Sequence, residues 1–224
     1  MTTGWGRGSF KTESFDLAAS TTCQSLPDYP LDVDSATGAF VSSRVVICGG
    51  FEFSTTSQCY SLGQNETEWK PSGNMTALRH GAASVEINNK LVIFGGYYNG
   101  HLQSTEEFNE ETGTATAGPN MPLAVREHCA VKLNSTTALI IGGSGYEIAG
   151  TQRGYLRSTY FYDANMKSFT PGPLLNDGRE KHACSILNTG TESYVVITGG
   201  SNRAHLDSTE FMDVNEPTIW KTGE

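Results

Sequence analysis

Three short segments of the chain place an arginine close before a histidine, and these residue types could bind a metal ion or transfer protons. They are Arg79-His80, Arg126-Glu127-His128 and Arg179-Glu180-Lys181-His182. Imidazole is a frequent metal ligand and general base, and His80, His128 and His182 could point inward together. Because the segments recur at one place in a repeated unit, we favour a structural role, in which these polar side chains hydrogen-bond a neighbouring unit.

Two further histidines, His101 and His205, each lie five residues after a pair of glycines, at matching positions of the chain. They are better candidates for ligand binding. The cysteine spacings fit no zinc pattern, and no nucleophile elbow, P-loop, dinucleotide fingerprint or zincin motif occurs. The double glycines of the chain are not a phosphate cradle, since no helix start follows them. We therefore expect no catalytic residue, no metal ion and no cofactor.

The elements that position these residues belong to a repeat, a short apolar run that ends in two glycines. Its four copies are Val45-Val46-Ile47-Cys48-Gly49-Gly50, Leu91-Val92-Ile93-Phe94-Gly95-Gly96, Ala138-Leu139-Ile140-Ile141-Gly142-Gly143 and Val195-Val196-Ile197-Thr198-Gly199-Gly200. Intervals of 46, 47 and 57 residues between the copies indicate stacked versions of one structural unit. Glycine ends these runs where neighbouring backbones must approach closely.

Each unit is predicted to contain four strands. A hairpin comes first, as in 82–87, the turn Asn88-Asn89 and 91–94. A third strand carries an aromatic residue followed by Asp or Asn, in 104–109, 158–163 and 208–213, with weaker versions in 56–61 and 11–16. The fourth strand begins a few residues later, with Cys23, Trp69, Ala115, Phe169 and Trp220 at equivalent places.

This order of apolar run, double glycine, aromatic-Asp, tryptophan, methionine and Arg-His resembles the kelch repeat over nearly the whole chain. The WD40 repeat is the nearest rival, but the chain has no Trp-Asp dipeptide and no Gly-His at unit starts. The resemblance implies an all-β fold, a kelch-type β-propeller with four-stranded antiparallel blades. The eight paired glycines, Trp69 and Trp220 would then be structural, whereas Ala115 and Cys23 replace the usual tryptophan.

The same resemblance divides the chain into a partial blade over 1–35 and blades at about 36–78, 79–124, 125–178 and 179–224. Kelch propellers close with more blades than this, so the propeller is expected to be incomplete, with further sequence on both sides.

Two classes of loop are expected on one face of the propeller, the loop after each double glycine and the loop that leads into the next blade. The first class carries ring and arginine side chains of the kind found in interface hot spots. The candidate partner-binding residues are Phe51, Phe53, Tyr97, Tyr98, His101, Tyr146, Arg153, Arg203 and His205. The alternative is that the aromatic residues pack between blades, and the sequence does not decide between the two.

The net charge, the apolar runs and the sequons of the chain bear on which molecules it can bind and on the compartment in which it is located. A net charge of −9 without a run of lysine or arginine argues against nucleic acid, and no apolar run is long enough for membrane insertion. Three sequons, which would be glycosylation sites outside the cell, begin at Asn65, Asn74 and Asn134, about the number that chance predicts. No signal peptide is visible, which favours the cytoplasm, although the sequons leave an extracellular location open.

The five cysteines are expected to be mainly buried free thiols in strands. Their number is odd, and a chain of 224 residues does not need covalent staples. The alternative is one disulfide, with Cys23 and Cys59 as its partners.

The resemblance, without a catalytic motif beside it, predicts a non-catalytic scaffold for protein–protein interaction. Kelch propellers of cytosolic proteins often present substrates to a ubiquitin ligase, so a larger multidomain adaptor is one setting. Two alternatives stay open. One is the propeller of a galactose-oxidase-like copper enzyme, whose ligands we cannot map onto this chain. The other is an extracellular adhesion module, suggested by the sequons and by Cys23 and Cys59.

Overall fold

The chain is built from β-strands. The computed structural model describes Thr12 and residues 26–146 and 153–223, and within these residues it contains nineteen strands and no helix. The predicted all-β class is confirmed. Most of the expected partial blade over 1–35, including Cys23, lies outside the described residues.

Sixteen of the strands form four antiparallel sheets of four, each in chain order. The first sheet contains β1 (Thr37–Val41), β2 (Arg44–Cys48), β3 (Gln58–Gly63) and β4 (Lys70–Asn74). The second contains β5 (Ala83–Ile87), β6 (Lys90–Phe94), β7 (Thr105–Asn109) and β8 (Thr114–Ala117).

The third sheet is formed by β10 (Cys129–Lys132), β11 (Thr137–Ile141), β14 (Thr159–Asp163) and β15 (Ser168–Pro171). The fourth is formed by β16 (Ala183–Asn188), β17 (Ser193–Thr198), β18 (Thr209–Asp213) and β19 (Lys221–Thr222). The remaining strands, β9 (Val125–Arg126), β12 (Ser144–Tyr146) and β13 (Arg153–Tyr155), make a small sheet in the order β13-β12-β9.

The four larger sheets are blades of an incomplete propeller. Their first strands, β1, β5, β10 and β16, contact one another in that order. The second strands of the second and third blades are buried on both faces. In β6, Leu91 and Ile93 pack towards the first blade, whereas Val92 and Phe94 pack towards the third. This two-sided burial explains why the repeated run is continuously apolar and does not alternate with polar residues.

The third strand of the first blade is shifted from its expected place. The amide of Gly49 donates to the Gln58 carbonyl, as the amide of Gly95 donates to the Ser104 carbonyl. Gln58 is therefore the counterpart of Ser104, and the strand covers Gln58–Gly63. The predicted strand at 56–61 was therefore placed two residues too early. The sequence does not reveal this error, because a shift of two residues leaves the same side chains facing inward and the polarity pattern similar.

The double glycines bind the backbone that leads into the next blade. The second glycine of a pair donates to that segment in three places, from Gly50 to Arg79, from Gly96 to Val125 and from Gly143 to Arg179, at N···O distances of 3.0, 2.8 and 2.8 Å. Both glycines have positive φ angles; those of Gly95 and Gly96 are +56° and +100°. A Cβ added to Gly95 would lie 2.5 Å from the Val125 carbonyl oxygen.

Replacing Gly95 by valine is therefore expected to lower the free energy of unfolding by more than about 1 kcal/mol, because a β-branched residue is forced into a left-handed conformation against backbone. Chemical denaturation followed by tryptophan fluorescence measures the loss. Gly154→Ala is the matched control, since a Cβ there meets nothing within 4 Å. Equal unfolding midpoints for the two variants would contradict the close approach.

Four cysteines form two disulfides, Cys48–Cys59 and Cys129–Cys184. Both expectations for the cysteines were therefore wrong: these four are not free thiols, and Cys59 is bonded to Cys48 and not to Cys23. Cys48 and Cys59 lie directly opposite each other on β2 and β3. This pairing could not be seen while the third strand was placed two residues too early.

Candidate functional site

The two classes of loop meet on one face of the blades, which we call the loop face. In each blade, the segment before the first strand pairs with the segment after the double glycine. The pairs are Asp34 with Phe51, His80 with Tyr97, Arg126 with Ser144 and Glu180 with Ser201. The other turns, between first and second strands and between third and fourth strands, lie on the opposite face because antiparallel strands alternate in direction.

A line of backbone hydrogen bonds joins the loops of successive blades. The amide of Gly81 donates to the Ser35 carbonyl at 2.8 Å, Glu127 donates to Gly81 at 2.8 Å, and Lys181 donates to Glu127 at 2.9 Å. These bonds hold the loops side by side at the start of the inner strands. The loop face is thus supported by main-chain contacts between successive blades.

Five ring side chains run in an unbroken row across the loop face, and we call them the ring row. Neighbouring ring centroids are 5.2 Å apart for Phe51 and His80, 5.5 Å for His80 and Tyr97, 5.5 Å for Tyr97 and His101, and 5.3 Å for His101 and Tyr146. These are the separations of favourable tilted and edge-on aromatic contacts. Both ends of the row, Phe51 and Tyr146, are exposed, at 40% and 45%.

Arg126 covers the centre of the ring row. Its Cζ atom lies 4.8 Å from the centroid of the Tyr97 ring, a cation–π distance. Burial, followed by the nearby charge of Arg126, lowers the pKa of His80, while Asp34 acts in the opposite direction. With a pKa below its usual range, His80 is mainly neutral at pH 7, and the charged groups nearest to it are Arg126 and Asp34.

The ring row contains four of the predicted binding residues, Phe51, Tyr97, His101 and Tyr146, and adds His80, which had been grouped with the structural histidines. Two more candidates, Phe53 and Tyr98, are exposed on the same loops. Arg203 and His205 lie on the loop of the fourth blade, where His205 bridges Ser201. The backbone of Arg153 pairs with Tyr146. The structure thus brings four candidates of the first three blades into one row of ring contacts.

The three Arg/His segments do not share one register, and the expectation that their histidines are equivalent was wrong for His80. By the pairing after the double glycines, His80 is equivalent to Arg126 and Glu180. His128 and His182 lie two residues further on, and both are buried. Burial, followed by the proximity of His182, lowers the pKa of His128 to about 3. Burial, followed by Arg179, lowers that of His182 to about 4.

Two of the arginines are buried structural groups. Arg79 forms an ion pair with Glu106, at 2.5 Å, and also donates to the carbonyls of Gly95 and Ser104. The Glu106 carboxylate accepts the amides of Thr76 and Ala77 as well, at 2.6 and 3.1 Å. The fourth blade repeats this network around Arg179 and Glu210, whose side chains are 2.8 Å apart. These pairs stabilise the blades and are not available to a ligand.

The described residues contain no group of three or more His, Cys, Asp and Glu side chains arranged to hold a metal ion. They also contain no helix that is long and apolar enough to cross a bilayer.

A comparison with known protein families identifies one of the repeats. Residues 78–122, which include the whole second blade, match the family model of the Kelch motif. The matched repeat is of the kelch type. Kelch propellers are often used for protein interaction, and the central part of the ring row, from His80 to His101, lies within the matched kelch repeat.

Two curated relatives are enzymes by name. N-acetylneuraminate epimerases of Salmonella arizonae and Salmonella typhi are each 27% identical to this chain over 143 residues. The match covers 58% of this chain and 36% of each relative. The similarity thus spans about a third of the length of these relatives.

Proposed function

We propose that this kelch propeller segment is a non-catalytic interaction module, and that its loop face binds a protein partner through the ring row. The single observation that carries the proposal is the continuous contact from Phe51 to Tyr146, with Arg126 over Tyr97. Tyrosine and arginine are the residues in which the binding energy of protein interfaces is concentrated.

Packing of the rings against one another makes them suitable for binding. Each ring in the interior of the row is held on two sides, so it loses little conformational freedom when a partner arrives, and preorganisation of this kind raises affinity. The partner surface that fits is apolar, with hydrogen-bonding groups for the edges of the tyrosine and histidine rings. Phe53, at 89% exposure, extends this surface on the Phe51 side.

The two disulfides indicate the cellular compartment in which this module works. Structural disulfides persist in oxidising compartments and are rare in the cytosol. Cys48–Cys59 and Cys129–Cys184 therefore favour an extracellular binding module over a substrate arm of a cytosolic ubiquitin-ligase adaptor.

Binding through the loop face is tested with two exposed side chains whose truncation leaves the fold intact. A partner captured by the full chain from extracellular material of its own source is titrated against Phe53→Ala and Tyr98→Ala. If these side chains contact the partner, each variant weakens binding at least about 10-fold, which corresponds to a loss of ~1.4 kcal/mol.

Met166→Ala is the matched control, since Met166 is 74% exposed in the turn between β14 and β15 on the opposite face. It should bind like the parent protein. A partner that binds all three variants equally well would refute the loop-face proposal.

A second candidate function is action on N-acetylneuraminate, which is favoured by the similarity to the two epimerases and by the chemistry of the loop face. Aromatic faces can stack on a sugar ring, and the Arg126 guanidinium is suited to pairing with the sugar carboxylate. Proton NMR of N-acetylneuraminate with the full chain tests this. Line broadening that disappears in Arg126→Ala would support it, and unchanged spectra at millimolar sugar would exclude it.

A further inference from the structure

We propose that this chain matures in an oxidising and glycosylating compartment, where both disulfides form and where Asn65 and Asn134 each receive an N-linked glycan on the face opposite the loop face. This inference concerns covalent modification and does not depend on the proposed binding function. The sequence alone left the compartment open, with the cytoplasm slightly favoured over an extracellular location.

The first disulfide occupies a facing pair of positions that recurs in every blade. The equivalent pairs are Cys48 and Cys59, Phe94 and Thr105, Ile141 and Thr159, and Thr198 and Thr209. The other three blades have no cysteine at either position. In the first blade both positions are cysteine, with Cα atoms 4.1 Å apart and both side chains buried. The first blade thus has its two cysteines at directly facing strand positions, where the two thiols can form a disulfide.

The second disulfide joins the inner strands of two neighbouring blades, at strand positions that form a side-chain hydrogen bond between two other blades. Cys129 and Cys184 lie on β10 and β16, the inner strands of the third and fourth blades, with Cα atoms 6.3 Å apart, within the usual range for a disulfide. The equivalent residues of the first and second blades, Thr37 and Ser84, share a side-chain hydrogen bond of 2.7 Å. The same two strand positions therefore link neighbouring blades non-covalently in one place and covalently in the other.

Each disulfide forms when two thiols lose two protons and two electrons and one S–S bond is made. The electrons pass to a disulfide-bearing thiol oxidoreductase, which is reduced to its dithiol form. Such an acceptor stays oxidised in secretory compartments, whereas the cytosol keeps protein thiols reduced. Two pairings, made by all four of the cysteines that the structure describes, point to the secretory route.

The sequons at Asn65 and Asn134 are presented in turns of the opposite face. Asn65 lies in the turn between β3 and β4, and Asn134 lies in the hairpin between β10 and β11; both side chains are exposed. The Oδ1 atom of Asn134 accepts the amides of Thr136 and Thr137, each at 2.9 Å. This turn therefore uses the oxygen of the Asn134 side chain and not the amide nitrogen to which a glycan is attached.

Asn74, the third sequon asparagine, is also exposed, but it lies at the loop-face end of β4. Its sequon continues into buried Met75 and into Thr76, whose amide is bound by Glu106. The proposal therefore assigns glycans to Asn65 and Asn134 alone, where they leave the ring row uncovered.

Glycan transfer requires a lipid-diphosphate-linked oligosaccharide as donor. The Nδ2 atom of asparagine attacks the anomeric carbon and forms a C–N bond, while the C–O bond to the diphosphate breaks. One amide proton is released, and the lipid diphosphate leaves. The reaction is confined to the compartment in which the disulfides form, so both modifications should occur on the same molecules.

The test uses the full protein isolated from its own source, with acid quenching and immediate alkylation of free thiols. Mass spectrometry of peptides is expected to show Cys48 joined to Cys59 and Cys129 joined to Cys184. Glycosidase release in ¹⁸O-labelled water is expected to convert Asn65 and Asn134 to labelled aspartate. Alkylated Cys129 and Cys184, or unlabelled Asn65 and Asn134, would overturn the proposal.

Paired variants expressed in the same secreting cell type distinguish modification from misfolding. Thr67→Ser and Thr136→Ser keep the sequons, and each should retain the glycan of its turn. Thr67→Ala removes the Asn65 sequon at an exposed position and should lower the mass by one glycan, with the Cys129–Cys184 bond preserved. No mass difference between Thr67→Ala and Thr67→Ser would refute glycosylation at Asn65.

Discussion

Replacing Arg79 by alanine is expected to lower the free energy of unfolding by about 3–5 kcal/mol, the loss that follows when one partner of a buried ion pair is removed. Both Arg79 and Glu106 are 1% exposed. The variant leaves the Glu106 carboxylate without its cation, and it removes the Arg79 donor from the carbonyls of Gly95 and Ser104, of which Ser104 keeps the Gly95 amide. Urea denaturation at pH 7, monitored by circular dichroism, measures the change.

The chain itself supplies the control for this prediction. The positions of Arg79 and Glu106 are held by Val33 and Tyr60 in the first blade and by Val125 and Tyr160 in the third. Both members of the ion pair are thus replaced together, by the same two residues. Arg79→Val combined with Glu106→Tyr removes both charges and is expected to recover more than half of the loss caused by Arg79→Ala. A double variant no more stable than the single one would show that the pair is not exchangeable.

Trp69→Ala is expected to cost about 3–5 kcal/mol, because it removes a large buried ring and leaves a cavity. Trp69 is 6% exposed, its ring centroid lies 5.1 Å from that of Tyr29, and its Nε1 atom donates to the Pro27 carbonyl at 3.0 Å. Trp220 makes the equivalent bond to the Pro173 carbonyl at 3.1 Å. The tryptophan therefore fastens the outer strand of its blade to the proline segment that precedes the blade. The loss is measured by thermal and urea unfolding.

Trp69→Phe separates the volume of the ring from its hydrogen bond. Phenylalanine occupies this place in the third blade, as Phe169 opposite Tyr162. The variant keeps most of the packing and loses one donor, so we expect a cost of about 1–2 kcal/mol. If Trp69→Ala and Trp69→Phe lose stability equally, cavity formation is not the source of the effect.

The all-β fold and the four-stranded units could be predicted from the sequence because the signal is repeated. A single apolar run is ambiguous, but four runs that end in double glycines, each followed by an aromatic-Asp strand, agree on one unit. The equivalence of Trp69 and Trp220 also follows from the repeat, and the structure shows the two indole nitrogens making the same bond.

The disulfides could not be predicted because they depend on registers that the repeat does not define. Cys48 and Cys59 face each other only when the third strand begins at Gln58, and the sequence pattern fits the earlier start nearly as well. Cys129 and Cys184 lie in different blades, so their pairing depends on how two sheets stack. The equivalent pair Thr37 and Ser84 is recognised as a cross-blade contact only in the structure.

The ring row was only partly predictable. Aromatic residues after the double glycines are visible in the sequence, but His80 joins them because its segment is two residues out of register with His128 and His182. Contacts between neighbouring loops arise from the side-by-side arrangement of blades, which no single unit encodes. That the row binds a partner stays a prediction.

The backbone line through Ser35, Gly81, Glu127 and Lys181 has a consequence for how such chains can evolve. Each junction uses a main-chain N–H group and a carbonyl, and the four positions share a left-handed backbone conformation, with φ angles of +54°, +61°, +53° and +58°. The main-chain part of a junction can therefore survive when a whole unit is duplicated, deleted or transplanted, provided that this backbone conformation is kept. Selection is then free to diversify the outward side chains of one copy while its neighbours keep theirs.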